Sequence, residues 1–320
     1  MNVHAVGERL RDTATGRVQL DISLGGLTTY RVGGRASVLF EPASADDLAL
    51  LTPAIRDAGT DPAAVDLVVL GRGSNVVVSD RGFDGIVVRM AQPMSWIHGE
   101  DGSDVSAGAA TSLPLLANWA ARRSLAGLEF TVGIPGSVGG GVRMNAGAHE
   151  GSISDTLATA EVYDVASGEV GQRTAGSLGL DYRHSDLTPL EIVVAARFSL
   201  RPDDPDAIRA RMERYRKHRA DTQPGALQNA GSTFKNPPGD SAGRLVEAAG
   251  LKGHRVGGAA VSDLHANFFI ASDAASAQDV FDLVQDVRRR VLARFGVELE
   301  PEVRFVGPFE DSVDRAGAPL

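Results

Sequence analysis

The chain has 320 residues, 43% of them hydrophobic and 23% charged, with a formal net charge of -9 at pH 7. That length suits about two domains with sizeable cores, and the composition excludes a disordered or fibrous class. The negative charge argues against bulk affinity for nucleic acid or acidic lipid while leaving room for a local phosphate pocket, and the absence of cysteine excludes disulfides, thiolate nucleophiles and cysteine-ligated metals, compatible with a reducing compartment.

Met1 to Asp12 mixes His4, Glu8, Arg9, Arg11 and Asp12 with few apolar residues and so lacks a signal-peptide core. No later run of about 18 apolar residues could span a bilayer. A soluble, cytoplasmic protein is expected.

After the turn at Gly25-Gly26, Ser44 followed by Asp47 is a capping-box variant. It predicts one helix that buries Leu48, Leu51 and Ile55 and stops at Gly59. Val65 to Leu70 is nearly all apolar, as a strand covered on both faces is, and it runs into Gly71-Arg72-Gly73-Ser74-Asn75. Val76-Val77-Val78 and Ile86-Val87-Val88 read as further strands around the turn glycines Gly82 and Gly85.

Ser112-Leu113-Pro114 opens a helix in which Leu115, Leu116, Trp119 and Ala120 recur at helical spacing. The run Gly133-Ile134-Pro135-Gly136-Ser137-Val138-Gly139-Gly140-Gly141 is too rich in glycine for a stable helix or regular strand and predicts a close backbone approach. The strand-like segments Leu157 to Val165 and Ile192 to Leu200 bracket a loop with Tyr182-Arg183-His184-Ser185.

Arg201-Pro202-Asp203-Asp204-Pro205 reads as a linker, and a domain boundary is expected near Pro202. A helix over 206–219 carries Arg209, Arg211, Arg214, Arg216, Lys217 and Arg219, a charge run that suits a solvated face or phosphate contact. Gly231-Ser232-Thr233-Phe234-Lys235-Asn236-Pro237 places a hydroxyl, an ammonium and an amide beside turn residues. That set suits an anionic substrate and equally ordinary turn chemistry. The last helix starts at Ser276 with Asp279 three residues on, buries Val280, Leu283, Val284, Val287 and Val291, and stops at Gly296. No internal repeat is evident, and the tail 308–320 is expected to be disordered.

Two glycine clusters, one directly after a buried strand, can present several N–H groups to a pyrophosphate, so dinucleotide binding is the sharpest hypothesis. The standard motifs are nevertheless absent. Gly71 to Val76 lacks the last glycine of G-x-G-x-x-G, and no phosphate-loop G-x-x-x-x-G-K-[ST] occurs. Pro135 stands where a serine-hydrolase elbow around Ser137 needs glycine. His149-Glu150 has no second histidine at the zincin spacing, and no metal site is predicted.

The ordered series Thr28 to Gly34, Leu70 to Asn75, Gly133 to Gly140, Met144-Asn145-Ala146-Gly147-Ala148, Tyr182 to Ser185, Gly231 to Pro237, Ala248 to Gly253, His265-Ala266-Asn267-Phe268 and Leu299 to Arg304 resembles the UDP-N-acetylenolpyruvoylglucosamine reductases of bacterial peptidoglycan synthesis. The resemblance runs from about Leu24 to Gly307. It implies an α+β chain with an FAD-binding fold of the vanillyl-alcohol-oxidase (PCMH) type in two subdomains, 23–88 and 89–202. An N-terminal extension, 1–22, would precede them and an α+β substrate-binding domain, 203–307, would follow. The short distance from Arg183 to Ile192 is similar to the type II branch, which lacks an extra tyrosine-bearing loop.

The resemblance further implies that NADPH gives a hydride to FAD and leaves, and that the reduced flavin passes it to an enolpyruvyl ether. Charge then develops on the carbon beside the carboxylate, which calls for stabilising groups and an acid. Arg183 and Glu302 match the family's stabilising pair and Ser232 its proton donor. Gly71, Arg72, Gly73, Ser74, Asn75, Gly133, Ile134, Pro135, Gly136, Ser137, Gly139, Gly140, Asn145, Gly147 and Arg219 are the expected FAD contacts, with Tyr182, Lys235 and Asn236 on the substrate. Partners are expected to be the UDP-sugar and NADPH, with no nucleic acid, membrane or obligate protein partner. Arg72, His149-Glu150 and Ala271 depart from the family pattern. A flavin oxidase of the same superfamily and a non-catalytic nucleotide-sugar-binding regulator are the alternatives.

Overall fold

Helix ends show how closely local sequence dictates local structure in the computed structural model, which describes residues 2–100, 102–225 and 227–310. The Ser276 hydroxyl accepts from the Asp279 amide and the Asp279 carboxylate accepts from the Ser276 amide, each at 3.0 Å, closing a capping box on helix Ala277–Phe295. Gly296 ends that helix in the left-handed region, φ 70. The Asp80 carboxylate accepts from the amides of Ala277 and Gln278 at 3.0 and 2.9 Å, satisfying two more orphan donors of the first turn.

Two compact units divide the described residues. The larger draws on Met1–Ile22, Ser37–Arg72 and Gly85–Arg219, the smaller on Ser23–Ala36, Gly73–Asp84 and Ala220–Leu320. In the larger, a four-stranded sheet runs in the order Arg17–Ser23, Arg35–Glu41, Phe83–Arg89, Leu67–Leu70, the last two parallel. A five-stranded antiparallel sheet runs Glu169–Thr174, Leu157–Asp164, Glu191–Ser199, Asp104–Gly108, Ile97–Gly99. In the smaller, Ala259–Val261 lies between Arg255–Val256 and Phe269–Ala271, and Arg304–Val306 pairs in parallel with Val76–Val78. Its core gathers Tyr30, Val32, Val77, Phe234 and Phe269 around the inner face of helix Ala277–Phe295.

Several expectations are corrected. The helix after Ser44 is two pieces, Ala45–Ala49 and Leu51–Asp57, because Pro53 has no N–H to continue the ladder across the break. Leu67–Leu70 is an edge strand whose Val68 and Val69 are only half-buried. Residues 1–22 belong to the larger unit, since helix Val3–Thr13 buries Val3, Val6 and Leu10 in its core. Arg201–Pro202 pairs with Leu125–Ala126, and helix Pro205–Thr222 packs Ile208 and Met212 against Ala117, Ala126 and Val132. The larger unit therefore continues past Pro202, held by two apolar residues on an otherwise charged helix. Of the expected tail, Phe309 stacks on Phe281 at 4.9 Å, and residues 311–320 lie outside the described residues. No helix among the described residues is long and apolar enough to cross a membrane.

Asp80→Ala removes both helix-start acceptors. It should lower unfolding free energy by about 1–2 kcal/mol, read from the urea midpoint at unchanged slope.

Candidate functional site

The two glycine clusters of the larger unit meet. A Cβ on Gly71 would lie 2.5 Å from Ser137 Oγ, so only glycine allows the chain leaving strand Leu67–Leu70 to pass this close. Contrary to expectation, Val138–Arg143 is a helix. Ser137 caps it by accepting from the Gly140 amide at 3.5 Å, while the Val138 and Gly139 amides donate to Thr111 and Ala109 carbonyls at 2.8 and 2.9 Å. A Cβ on Gly139 would stand 3.0 Å from Ala109 Cβ. Close packing thus overrides the poor helix propensity of glycine.

Arg219, at the end of the larger unit, lays its stem on bare backbone: a Cβ on Gly133 would lie 2.3 Å from Arg219 Cδ. Burial lowers the pKa of this guanidinium, and among the described residues it has no hydrogen-bond or ion-pair partner. A half-buried cation without a counter-charge, set against a glycine-rich loop, is the donor set that a pyrophosphate requires. These residues fit FAD.

Asn145 and Gly147 also make contacts within the protein. The Asn145 side chain donates to the Asp181 carbonyl and accepts from the Ser154 amide, both at 2.9 Å. The Gly147 carbonyl accepts from Arg183 Nη2 at 2.7 Å. Together they hold the loop of Arg183, a non-glycine residue at φ 53 whose guanidinium lies 5.1 Å over the exposed Tyr182 ring. Such a conformation persists only where surroundings impose it.

The departures at His149 and Glu150 form the tip of a two-residue hairpin between Gly147–Ala148 and Gly151–Ser152, both at positive φ, 52 and 66, as a type I′ turn demands. The His149 ring stacks on Tyr215 at 4.2 Å and 6°, with His218 edge-on at 5.4 Å. Burial, then the positive charges of His218, Arg219 and Arg214, lowers the His149 pKa. Of the other departures, Arg72 is exposed in the loop after Gly71, and Ala271 is buried in strand Phe269–Ala271.

In the smaller unit, segment 231–236 lies between two others. On one side Ser232 bridges to Phe268; on the other Phe234 bridges to Pro301. The Glu302 amide donates to the Thr233 carbonyl at 2.8 Å and the Lys235 amide to the Glu300 carbonyl at 2.9 Å. The Glu302 backbone is thereby held to that of Thr233, the residue after Ser232. Lys235 Nζ pairs with Glu300 at 2.7 Å, and Asn236 Oδ1 accepts from the Ala242 amide at 3.0 Å. Gly73 sits at φ 64, its carbonyl accepting from Thr29, and half-buried Ser74 follows it. The Asn75 side-chain amide donates to the Glu302 carbonyl at 3.0 Å. Asn267, an asparagine set between Ala266 and Phe268-Phe269-Ile270, joins these residues although no role is expected of it from the sequence.

Residues 36–172 match the family model described as an FAD binding domain, and residues 223–306 match the one described as UDP-N-acetylenolpyruvoylglucosamine reductase, C-terminal domain. A UDP-N-acetylenolpyruvoylglucosamine reductase of Bradyrhizobium sp. (strain ORS 278) is 44% identical over 292 residues, 91% of this chain and 93% of that protein. One from Symbiobacterium thermophilum is 44% identical over 305 residues, 94% of this chain and 97% of that protein. The crystal structure of the reductase from Thermus caldophilus matches 91% of this chain and 99% of its own, with 37% identity and a TM-score of 0.76. With the FAD-binding match and these relatives, the fold and glycine cradle are those of an FAD-dependent oxidoreductase of α+β architecture. The chain belongs to the UDP-N-acetylenolpyruvoylglucosamine reductase family.

Gly71→Ala and Arg219→Met should each purify with less flavin, measured as visible flavin absorbance relative to protein absorbance. A second prediction concerns His149. Because its folded pKa lies below the unfolded value of about 6.5, the unfolded chain takes up a proton first as pH falls through that value, and stability is lost there. His149→Phe keeps the stack and removes this contribution, so its melting temperature should fall less than that of the unaltered protein on acidification.

Proposed function

We propose that this chain reduces the enolpyruvyl group of UDP-N-acetylglucosamine enolpyruvate to give UDP-N-acetylmuramate in peptidoglycan precursor synthesis, with Arg183, Ser232 and Glu302 as the acting groups. NADPH is the reductant. When bound, FAD takes up hydride from NADPH and delivers it to the terminal alkene carbon of the substrate. What remains for the protein is to stabilise negative charge spreading onto the neighbouring carbon and its carboxylate, and to protonate that carbon.

Arg183 supplies a fixed positive charge, its guanidinium oriented by the Gly147 carbonyl. Glu302 completes the pair as a neutral carboxyl that donates a hydrogen bond to the carboxylate of the intermediate. The Ser232 hydroxyl donates the proton and is reprotonated from solvent. A hydroxyl is a weak acid, but a carbanionic carbon is basic enough to take its proton. The observation that carries the reading is the hydrogen bond from the Glu302 amide to the Thr233 carbonyl, which sets the Glu302 backbone beside the residue that follows the proposed donor.

We assign FAD contacts to Gly71, Arg72, Gly133, Ile134, Pro135, Gly136, Ser137, Gly139, Gly140, Asn145, Gly147 and Arg219 of the larger unit, and to Gly73, Ser74 and Asn75 of the smaller. Tyr182, Lys235 and Asn236 are assigned to substrate. Lys235 already holds a carboxylate, that of Glu300, which a substrate carboxylate or phosphate would exchange for its own. We place the reaction in the cytoplasm, where NADPH and nucleotide sugars are made, upstream of wall growth, cell shape and division.

Under anaerobic conditions NADPH should bleach the flavin and the enolpyruvyl nucleotide sugar should restore its colour. Ser232→Ala should leave bleaching intact and slow recovery by roughly two to four orders of magnitude. Equal loss in both half-reactions would overturn the proton-donor role. Peroxide formation without NADPH consumption would point instead to an oxidase.

A further inference from the structure

We infer that Asn267 is a positioning residue for the reaction, fixing Ser232 by gripping the peptide groups that follow it. The inference rests on the proton-donor reading of Ser232. Asn267 is only 4% exposed, and its side chain and carbonyl all serve this segment. Its Oδ1 accepts from the Phe234 amide at 2.9 Å and its Nδ2 donates to the Phe234 carbonyl at 2.8 Å. Its own carbonyl accepts from the Thr233 amide at 2.8 Å. One side chain thus serves both polar groups of a residue as a neighbouring strand would.

The grip is itself anchored. The Asn267 amide donates to His265 Nδ1 at 3.2 Å, and the His265 ring packs edge-on to Phe268 at 4.8 Å. The Phe234 ring is buried against Phe269 at 5.6 Å and 82°. On the other side the Glu302 and Lys235 amide bonds close the frame.

On the N-terminal side of Ser232, the Gly231 amide donates to Asn229 Oδ1 at 2.9 Å. Gly231 stands at φ 75, and a Cβ built on it would meet no atom within 4 Å. The frame on the C-terminal side of Ser232 is the one that Asn267 controls. A displacement of about 1 Å at a reacting group costs on the order of a hundredfold in rate.

Asn267→Asp is isosteric and sets a carboxylate oxygen against the Phe234 carbonyl, opening one side of the grip; Asn267→Gln keeps the amide one methylene further out. In flavin-loaded enzyme, NADPH bleaching should stay within about twofold for both, while recovery with the enolpyruvyl nucleotide sugar slows by roughly ten- to a hundredfold. Amide hydrogen exchange in residues 232–235 should quicken while exchange in helix Ala277–Phe295 stays unchanged. Should Asn267→Asp not fold, Asn267→Gln carries the test alone. Ser232→Ala, measured alongside, separates the two ideas. If it recovers at the unaltered rate, the proton-donor reading falls and this inference with it. If it is slow while both Asn267 variants recover normally, or lose both half-reactions equally, the inference alone is overturned.

Discussion

Every backbone N–H and C=O that leaves a regular strand must still find a partner, and this requirement shapes the segments that carry Ser232, Glu302 and Arg183. Segment 231–236 belongs to no named strand, yet its peptides are satisfied by Asn267 on one side and by residues 300–302 on the other. The outcome is a short three-ply arrangement in which chemically useful side chains sit on a backbone as fixed as a sheet. The loop of Arg183 is solved in the same manner, with Asn145 linking two turns and Gly147 accepting the guanidinium.

Glycine works through the opposite route, by removing matter. At Gly71 and Gly133 the missing side chain is what lets Ser137 and Arg219 approach. The larger unit thereby offers backbone and one cation where an ordinary loop would offer side chains. An acidic protein can bind a dianionic pyrophosphate in this way, since amide dipoles and one nearby guanidinium act locally while the net charge of -9 is spread over the whole surface.

Features governed by neighbours in sequence were legible: the cap at Ser276, the stop at Gly296, the strand leading into Gly71. Features governed by distant partners were not. The helix at Val138–Arg143 is disfavoured by its glycines and exists because Thr111 and Ala109 accept its first amides. Pro202 and two aspartates signalled a boundary, but Ile208 and Met212 bind the following helix to the unit before it. Arg183, Ser232 and Glu302 were legible only through the family resemblance that the ordered motifs carry, whereas the Asn267 grip depends on a residue 33 positions away, a distance no local pattern encodes.

As a proposed FAD contact, Arg219 would couple ligand occupancy to the integrity of the fold. A guanidinium partly withdrawn from water with no protein acceptor among the described residues raises the free energy of the ligand-free state, and an anion that reaches it relieves that cost. Cofactor supply then acts as a folding variable: apparent stability grows with the logarithm of free flavin nucleotide concentration once it exceeds the dissociation constant. In a cell short of flavin, the chain left without cofactor would be both inactive and less stable.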